Sequence, residues 1–490
     1  MSTLRNINVW EKMDKWFLVL YLMLVVMGFS TVYSAGIGEG SESLFDWQTD
    51  HGKQFYWILI SLFMGLIILL LEGSFIRNIS YIVYGVVLFL LIAVLFMPAI
   101  KGAHSWFKIG SFTIQPAEFA KVAASLAFAR YLSKTGVKIE NFSTKRNVFL
   151  LLVIPMILII LEPDPGTGLV FLSFIFVMYR EGLSGNILIM GLFALIIGVL
   201  SVYVASFETV EINNQHYYEM VKSDPELFTK TLEKYGSLAM DELYSKTIFT
   251  ADEIPEIARP SSFFSNNYWF VIVLLLFSGV GFVIVRTFVL PRYRAKYYPT
   301  LIWGTLMAIV FILIINWSYD RVFQDRHRTR FQIQFGLKED RLGDGYNIYQ
   351  ALSAIGSGEV VGKGYMDGTL SNNKYKHVPE QSTDFIFCSW AEERGFIGSL
   401  VLVVVYTFFL LRAIIIAERQ RSIFTRIFAY CVSSILFFHF MINLGMVIGL
   451  APVIGIPLPF FSKGGSAILG FSALVFILLR LDAERKDVLR

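Results

Sequence analysis

Long apolar runs separated by brief polar interruptions dominate the chain. A helix needs about 20 apolar residues, with about 17–25 tolerated, to cross the hydrocarbon core of a bilayer. Runs of that kind lie near 16–35, 55–72, 79–98, 117–133, 147–162, 167–180, 186–206, 267–288, 299–318, 396–417, 426–449 and 465–481. The pattern predicts an all-α polytopic membrane protein with about 12 transmembrane helices. The fourth run is interrupted by Glu118 and Lys121, and only Glu162-Pro163-Asp164-Pro165-Gly166 parts the fifth from the sixth. The first follows Lys12 and Lys15 without a small-residue cleavage pattern, so it is expected to be a retained helix.

Composition supports the bilayer as solvent. Of 490 residues, 55% are hydrophobic and 16% charged, with mean hydropathy +0.60, against about 25% charged in soluble domains. An ordinary cytosolic enzyme, a disordered chain and a disulfide scaffold are excluded. Cys388 and Cys431 lie in different apolar stretches and are expected to be packed thiols. The net charge of +4 matters less than its distribution. Threaded from a cytoplasmic N-terminus, the predicted inner segments hold 22 Lys and Arg, whereas the short outer loops hold only Lys53, Lys101, Lys108 and Lys463. By the positive-inside rule both termini face the cytoplasm.

The layout is then seven helices in 1–206, an acidic outer insertion at 207–264, two helices in 265–318, a large outer loop at 319–395 and three helices in 396–490. The insertion carries 11 Asp and Glu against 5 Lys and Arg, and is expected to be a solvated cap. The second loop holds the chemistry-bearing patterns. Glu380 and Asp384 stand just before an apolar run, where partial desolvation raises a carboxylate toward general-base strength. Capping of the following helix by Thr383 or Asp384 is an equal reading of the same residues. Arg328 and Arg330, Gly345-Tyr346-Asn347-Ile348-Tyr349-Gln350, Ala354-Ile355-Gly356-Ser357-Gly358 and Gly362-Lys363-Gly364 offer cations and flexible backbone suited to phosphate oxygens. Anchoring to lipid headgroups competes for the arginines. Glu392 and Glu393, beside Arg394, are expected to be ion-paired. Glu118 and Lys121, three apart on one helical face, are an intramembrane pair or the lining of a polar cavity. Pro457-Leu458-Pro459-Phe460-Phe461-Ser462-Lys463-Gly464-Gly465-Ser466 is expected to re-enter the bundle. His439 is expected to pack, and no cluster has metal-ligand spacing.

In this order the motifs resemble the shape, elongation, division and sporulation family, the RodA/FtsW group. They are Gln-Pro-x-Glu-Phe-x-Lys at 115–121, Pro-Asp-x-Gly-Thr at 163–167, Gly-Tyr-x-x-x-Gln at 345–350, Ala-Ile-Gly-Ser-Gly at 354–358, Gly-Lys-Gly at 362–364, Pro-Glu-x-x-Thr-Asp-Phe-Ile-Phe at 379–387 and Gly-Ile-Pro-Leu-Pro-Phe at 455–460. Ala391-Glu392-Glu393 and Asn443-Leu444-Gly445-Met446-Val447-Ile448-Gly449 look more like the elongation branch. The resemblance implies a ten-helix core, here with an inserted pair. It also implies an enzyme that polymerises lipid II, a disaccharide-pentapeptide on undecaprenyl pyrophosphate, into glycan strands at the bacterial inner membrane.

On that resemblance Asp384 falls on the family's essential outer-loop acid and is the expected base. Arg328, Arg330 and Lys363 are the candidates for the leaving pyrophosphate, with Glu118, Lys121, Gln350 and Glu380 as further substrate contacts. A divalent cation, Mg2+ or Mn2+, is an expected helper, with no organic cofactor. The implied partners are a class B penicillin-binding transpeptidase and other elongation-complex membrane proteins, not nucleic acid. A lipid II transporter and a division-specific polymerase are the alternatives. Ser105, Ala351, Ser382 and Lys463 stand where the family commonly has Arg, Ser, His and Tyr.

Overall fold

The computed structural model describes residues 9–36, 45–98, 104–109, 112–207, 212–213, 248–249, 268–321, 325–335, 345–371 and 381–485. In chain order the helices are α1 (Val9–Lys12), α2 (Lys15–Ala35), α3 (Asp50–Leu70), α4 (Gly73–Val94), α5 (Pro116–Leu132), α6 (Phe142–Leu161), α7 (Pro165–Val170), α8 (Phe174–Arg180), α9 (Gly185–Phe207), α10 (Tyr268–Phe288), α11 (Pro291–Arg321), α12 (Asp325–Gln334), α13 (Tyr346–Ser357), α14 (Ile386–Glu418), α15 (Ile423–Val447) and α16 (Gly465–Ala483). Two short antiparallel pairs accompany them, β1 (Phe107–Ile109) with β2 (Phe112–Ile114) and β3 (Ile212–Asn213) with β4 (Ile248–Phe249). Most of the acidic insertion at 207–264 lies outside the described residues.

Eight helices among the described residues are long and apolar enough to cross a membrane: α2, α3, α4, α6, α10, α14, α15 and α16. The other four predicted runs fall on α5, on α7 with α8, on α9 and within α11. Every predicted run therefore meets a helix, while length and apolarity alone do not fix the count at twelve.

The chain divides into two compact units, Met1–Gly185 with Asn347–Arg490, and Asn186–Tyr346. In the first, α5 and α16 are the buried helices. α5 begins with Pro116 at its first position, where the missing N–H costs nothing, and buries Ala117, Ala120, Ala123, Ala124, Ala127 and Ala129. Small residues let helices approach closely in a membrane, where no hydrophobic force drives them together. Gly470 of α16 accordingly lies against the backbone of Glu118, and Gly65 of α3 against the ring of Phe476. Phe17 stacks on Phe409 at 4.6 Å, joining α2 to α14. Outward faces are apolar, with Phe63, Phe89, Phe149 and Phe408 exposed, as a lipid-facing surface requires. In the second unit, Phe282 stacks on Tyr298 at 4.5 Å and Thr305 Oγ1 donates to Ser278 Oγ at 2.8 Å, joining α10 to α11.

The expected 319–395 loop is not one loop. It contains α12, α13 and the first turns of α14, which starts ten residues before the predicted 396. Ile386, Phe387, Cys388, Trp390 and Ala391 are buried, and Glu392 and Glu393 each find partners, so their charges do not end the helix. Gly395 (φ +62°) kinks it instead.

Candidate functional site

Asp384 lies in the turn 381–385 that leads into α14. The residue at the helix cap is Phe385, whose side chain has no acceptor, so the cap position falls one residue after Asp384 and two after Thr383. The turn is held from three sides. Gln381 Nε2 donates to Ala35 O at 3.2 Å, the Lys463 N–H donates to Ser382 O at 2.8 Å, and Asn443 Nδ2 donates to Asp384 O at 2.9 Å. The same Asn443 amide donates to Ile456 O at 2.7 Å. It thereby ties the Asp384 turn to the Gly455-Ile456-Pro457 segment. Gly455 (φ +77°) lies under the Asp384 carboxylate, whose Oδ2 would be 3.5 Å from any Cβ there. Asp384 is half-buried.

The segment after Gly455 is packed inside the first unit. Leu458, Phe460 and Phe461 are buried, Tyr406 donates its hydroxyl to Pro459 O, and Gly28 of α2 leaves room for the Phe460–Phe461 backbone. Gly464 N–H donates to Gln54 Oε1 at 3.1 Å, and Lys463 Nζ pairs with Asp50 Oδ1 at 2.5 Å. Two of the departures from the family pattern, Ser382 and Lys463, are therefore hydrogen-bonded neighbours.

A second cluster is buried within the bundle. Lys121 Nζ is 2.8 Å from Glu118 Oε2 and 2.9 Å from His439 Nε2, and stands 4.5 Å from the centroid of the Phe471 ring. An ammonium can only donate. His439 Nε2 is therefore the acceptor, which puts the imidazole proton on Nδ1, facing Pro457 O at 3.2 Å. His439 and Asn443 are four residues apart on α15, one turn. One helix face thus connects the Glu118–Lys121 pair to the Pro457 segment, and that segment to Asp384. His439 is no mere packing residue, and neither it nor Asn443 was singled out as a site residue by sequence. The available signal was two polar side chains at i and i+4 in an apolar span.

The break between α6 and α7 adds two acids. Asp164 caps α7, its Oδ1 accepting from the Thr167 N–H at 3.1 Å and its Oδ2 from Gln115 Nε2 at 2.7 Å. Burial pushes its carboxyl above the usual range against the pull of its two Thr167 hydrogen bonds, with the nearby Glu118 adding to the rise and Lys121 opposing it. Glu162 is fully buried with neither carboxylate oxygen hydrogen-bonded, and burial together with Asp164 pushes it up to about 9. It is uncharged at neutral pH.

The glycine-rich segment packs on protein rather than opening a cradle. A Cβ on Gly358 would collide with Ala391 O, and one on Gly362 (φ +91°) with Glu393 O. Lys363 N–H and Gly364 N–H donate to the carbonyls of Glu392 and Glu393 at 3.1 and 3.0 Å. Lys363 Nζ pairs with Glu392 Oε1 at 2.6 Å, and Glu392 also accepts from the N–H groups of Thr369, Leu370 and Ser371. The expected structural pairing of Glu392 holds, as does that of Glu393 with Arg394 at 3.0 Å. The Lys363 cation is committed to Glu392, with about a quarter of the side chain exposed. Gln350 is half-buried on α13. Arg328 and Arg330 are half-buried on α12, in the second unit, whereas Asp384, Lys363, Glu118, Lys121 and Gln350 belong to the first. Glu380 lies outside the described residues. Among those described, no three His, Cys, Asp or Glu side chains gather as a metal site.

The pattern of the FtsW/RodA/SpoVE family, described as cell cycle proteins, matches residues 14–225 and 263–487. The chain is 27% identical over 476 residues to peptidoglycan glycosyltransferase RodA of Treponema pallidum, covering 96% of this chain and 98% of the relative. It is 29% identical over 405 residues to peptidoglycan glycosyltransferase MrdB of Escherichia coli, covering 82% and 77%. Its fold is similar to a chain solved in a peptidoglycan synthase complex that coordinates polymerization and crosslinking, with TM-score 0.60, 22% identity, and 96% and 98% of the two chains covered.

Proposed function

This chain belongs to the FtsW/RodA/SpoVE family, and from that premise we propose that it is a peptidoglycan glycosyltransferase of the elongation type, joining lipid II units into glycan strands. The observation that carries the mechanism is Asp384: a half-buried carboxylate on a turn whose carbonyls are held by Asn443 and Lys463 and whose Gln381 side chain is anchored on Ala35 O. Glycosyl transfer with inversion at the anomeric carbon needs one base to take the proton of the attacking sugar hydroxyl. The new C–O bond forms as the bond to pyrophosphate breaks, and pyrophosphate leaves with its electron pair. A positioned carboxylate supplies the base, and a fixed backbone keeps it within reach of that proton. A second acid is unnecessary because pyrophosphate leaves without protonation, unlike the leaving group in glycoside hydrolysis.

Charge developing on the pyrophosphate calls for cations. Arg328, Arg330 and Lys363 are the proposed donors, Lys363 from within its pair with Glu392, and Gln350 and Glu380 are the proposed further contacts. Glu118 and Lys121 supply polarity inside the bundle beside the lipid path. A divalent cation, Mg2+ or Mn2+, is a proposed helper, which would supply further positive charge to the leaving pyrophosphate. Both termini face the cytoplasm and the Asp384 end faces outward in the proposed topology, in accord with the distribution of Lys and Arg. A class B penicillin-binding transpeptidase is the proposed partner, in keeping with the synthase complex that the fold resembles.

The test is labelled lipid II in proteoliposomes carrying the purified chain and its crosslinking partner. Glycan chains are the expected product. Lipid II that changes leaflet without forming polymer would overturn the assignment in favour of a transporter.

A further inference from the structure

At the other end of α2 from the Asp384 turn lies a cavity of about 260 Å³, lined by α1, the start of α2, the C-terminal end of α14 and the end of α16. Its lining carries five cations, Lys12, Lys15, Arg412, Arg419 and Arg485, against two carboxylates, Glu11 and Asp14. α2 fixes how far apart the two places are. Asp14 caps its first turn, accepting from the Phe17 N–H at 2.9 Å, while Ala35 O at its other end accepts from Gln381, three residues before Asp384. The helix has 21 residues, and at about 1.5 Å per residue it spans about 30 Å, the thickness of the hydrocarbon core. Trp10 and Trp16 are 55% and 69% exposed beside the cavity, and exposed Trp is favoured at the headgroup level.

The arginines are preset. Asp14 takes Arg412 Nε at 3.0 Å and Arg419 Nη2 at 2.8 Å, and Asp482 takes Arg419, Arg485 Nη1 and Gln420 Nε2. Burial opposes ionisation of Asp14, but Arg412, the Phe17 N–H and Arg419 outweigh it and hold the carboxyl below its usual range. The two aspartates are buried, while between about a fifth and a third of each arginine side chain remains exposed. Lys15 is exposed and makes no hydrogen bond or ion pair among the described residues. The cavity therefore holds fixed guanidinium forks and an uncommitted ammonium in excess of its internal carboxylates. Forks of this kind match the geometry of phosphate oxygens.

We propose that this cavity binds the phosphate of an anionic phospholipid headgroup in the leaflet opposite Asp384. The naming of the leaflet rests on the proposed topology, whereas the binding does not. Basic pockets at helix ends recognise such headgroups, each cation contributing about a fivefold gain in binding near an anionic surface.

The experiment is native mass spectrometry of the full chain extracted from nanodiscs of phosphatidylglycerol or of phosphatidylcholine, counting retained lipids. Preferential retention of phosphatidylglycerol is expected, reduced about fivefold in Lys15→Gln and again in Arg485→Gln, and unchanged in Lys138→Gln, a basic position away from this cavity. Excess inorganic phosphate should displace the retained lipid. Equal retention of the two lipids, or loss independent of Lys15 and Arg485, would overturn the proposal. Binding of inorganic phosphate at the site with no retained phosphatidylglycerol would likewise overturn the lipid as its source. Lipid II polymerisation, measured on the same preparations, reports separately on the catalytic assignment.

Discussion

Asn443 has two carbonyls to satisfy and one of them belongs to Asp384. Replacing it by Ala leaves both without their buried donor, a loss of about 1–3 kcal/mol, and frees the turn that aims the carboxylate. Asn443→Ala is expected to lower turnover while lipid II affinity stays near wild type, a split read from kcat and KM. Glu162 yields a different prediction. Its folded pKa of about 9 stands above the unfolded value of 4.5, so the folded state holds an extra proton between them. The stability this contributes is complete below the unfolded value, falls as pH rises and is gone above about 9. Glu162→Gln should flatten that part of the pH dependence and raise the melting temperature on the alkaline side. A parallel decline in both proteins would remove Glu162 as the cause. At this scale the sequence singled out Asp384, Glu118 and Lys121 as candidates for chemistry. It did not show Asn443 and His439, because their partners are backbone carbonyls and a lysine brought together only by folding.

Among the elements, the kink at Gly395 organises the segment that reads in sequence as a phosphate cradle. It exposes the carbonyls of Glu392 and Glu393 to the N–H groups of Lys363 and Gly364, and the carbonyls of Glu359 and Val360 in turn accept from Phe396 and Ile397 at 2.9 and 3.1 Å. Glycine is required at 362 because φ is positive and the Glu393 carbonyl fills the place of a Cβ. Gly362→Ala is expected to destabilise by about 1–3 kcal/mol, seen as a lowered melting temperature in detergent. An unchanged melt would mean the contact is not maintained. Flexible glycines beside a cation look the same in sequence whether they face a ligand or another strand of backbone. Helix positions were easier to see: runs of about 20 apolar residues announce spans, whereas the start of α14 at Ile386 depended on partners for Glu392 that only the fold supplies.

The first unit carries Asp384 at one end of α2 and the Asp14 cavity at the other, so the two sites are separated by the length of that helix. Thr113 and Thr135 are both exposed, in segments predicted on opposite sides. Cys388 and Cys431 are buried, so introduced thiols should dominate labelling by a membrane-impermeant maleimide. Thr113→Cys is expected to react in intact cells and Thr135→Cys only after permeabilisation; the reverse pattern would invert the topology. The predominantly helical architecture was legible from the apolar runs, each of which meets a helix. The division into two units was not, since α9 to α11 share the composition of the other spans.

The most direct test of the account is Asp384→Asn, nearly isosteric but unable to take a proton at neutral pH. In liposomes with the crosslinking partner and fluorescent lipid II, wild type should build glycan chains. The variant should bind lipid II with unchanged affinity and polymerise at least about 100-fold more slowly. Polymerisation by the variant within about threefold of wild type, far short of the loss expected for a general base, would contradict the assignment of Asp384 as the base.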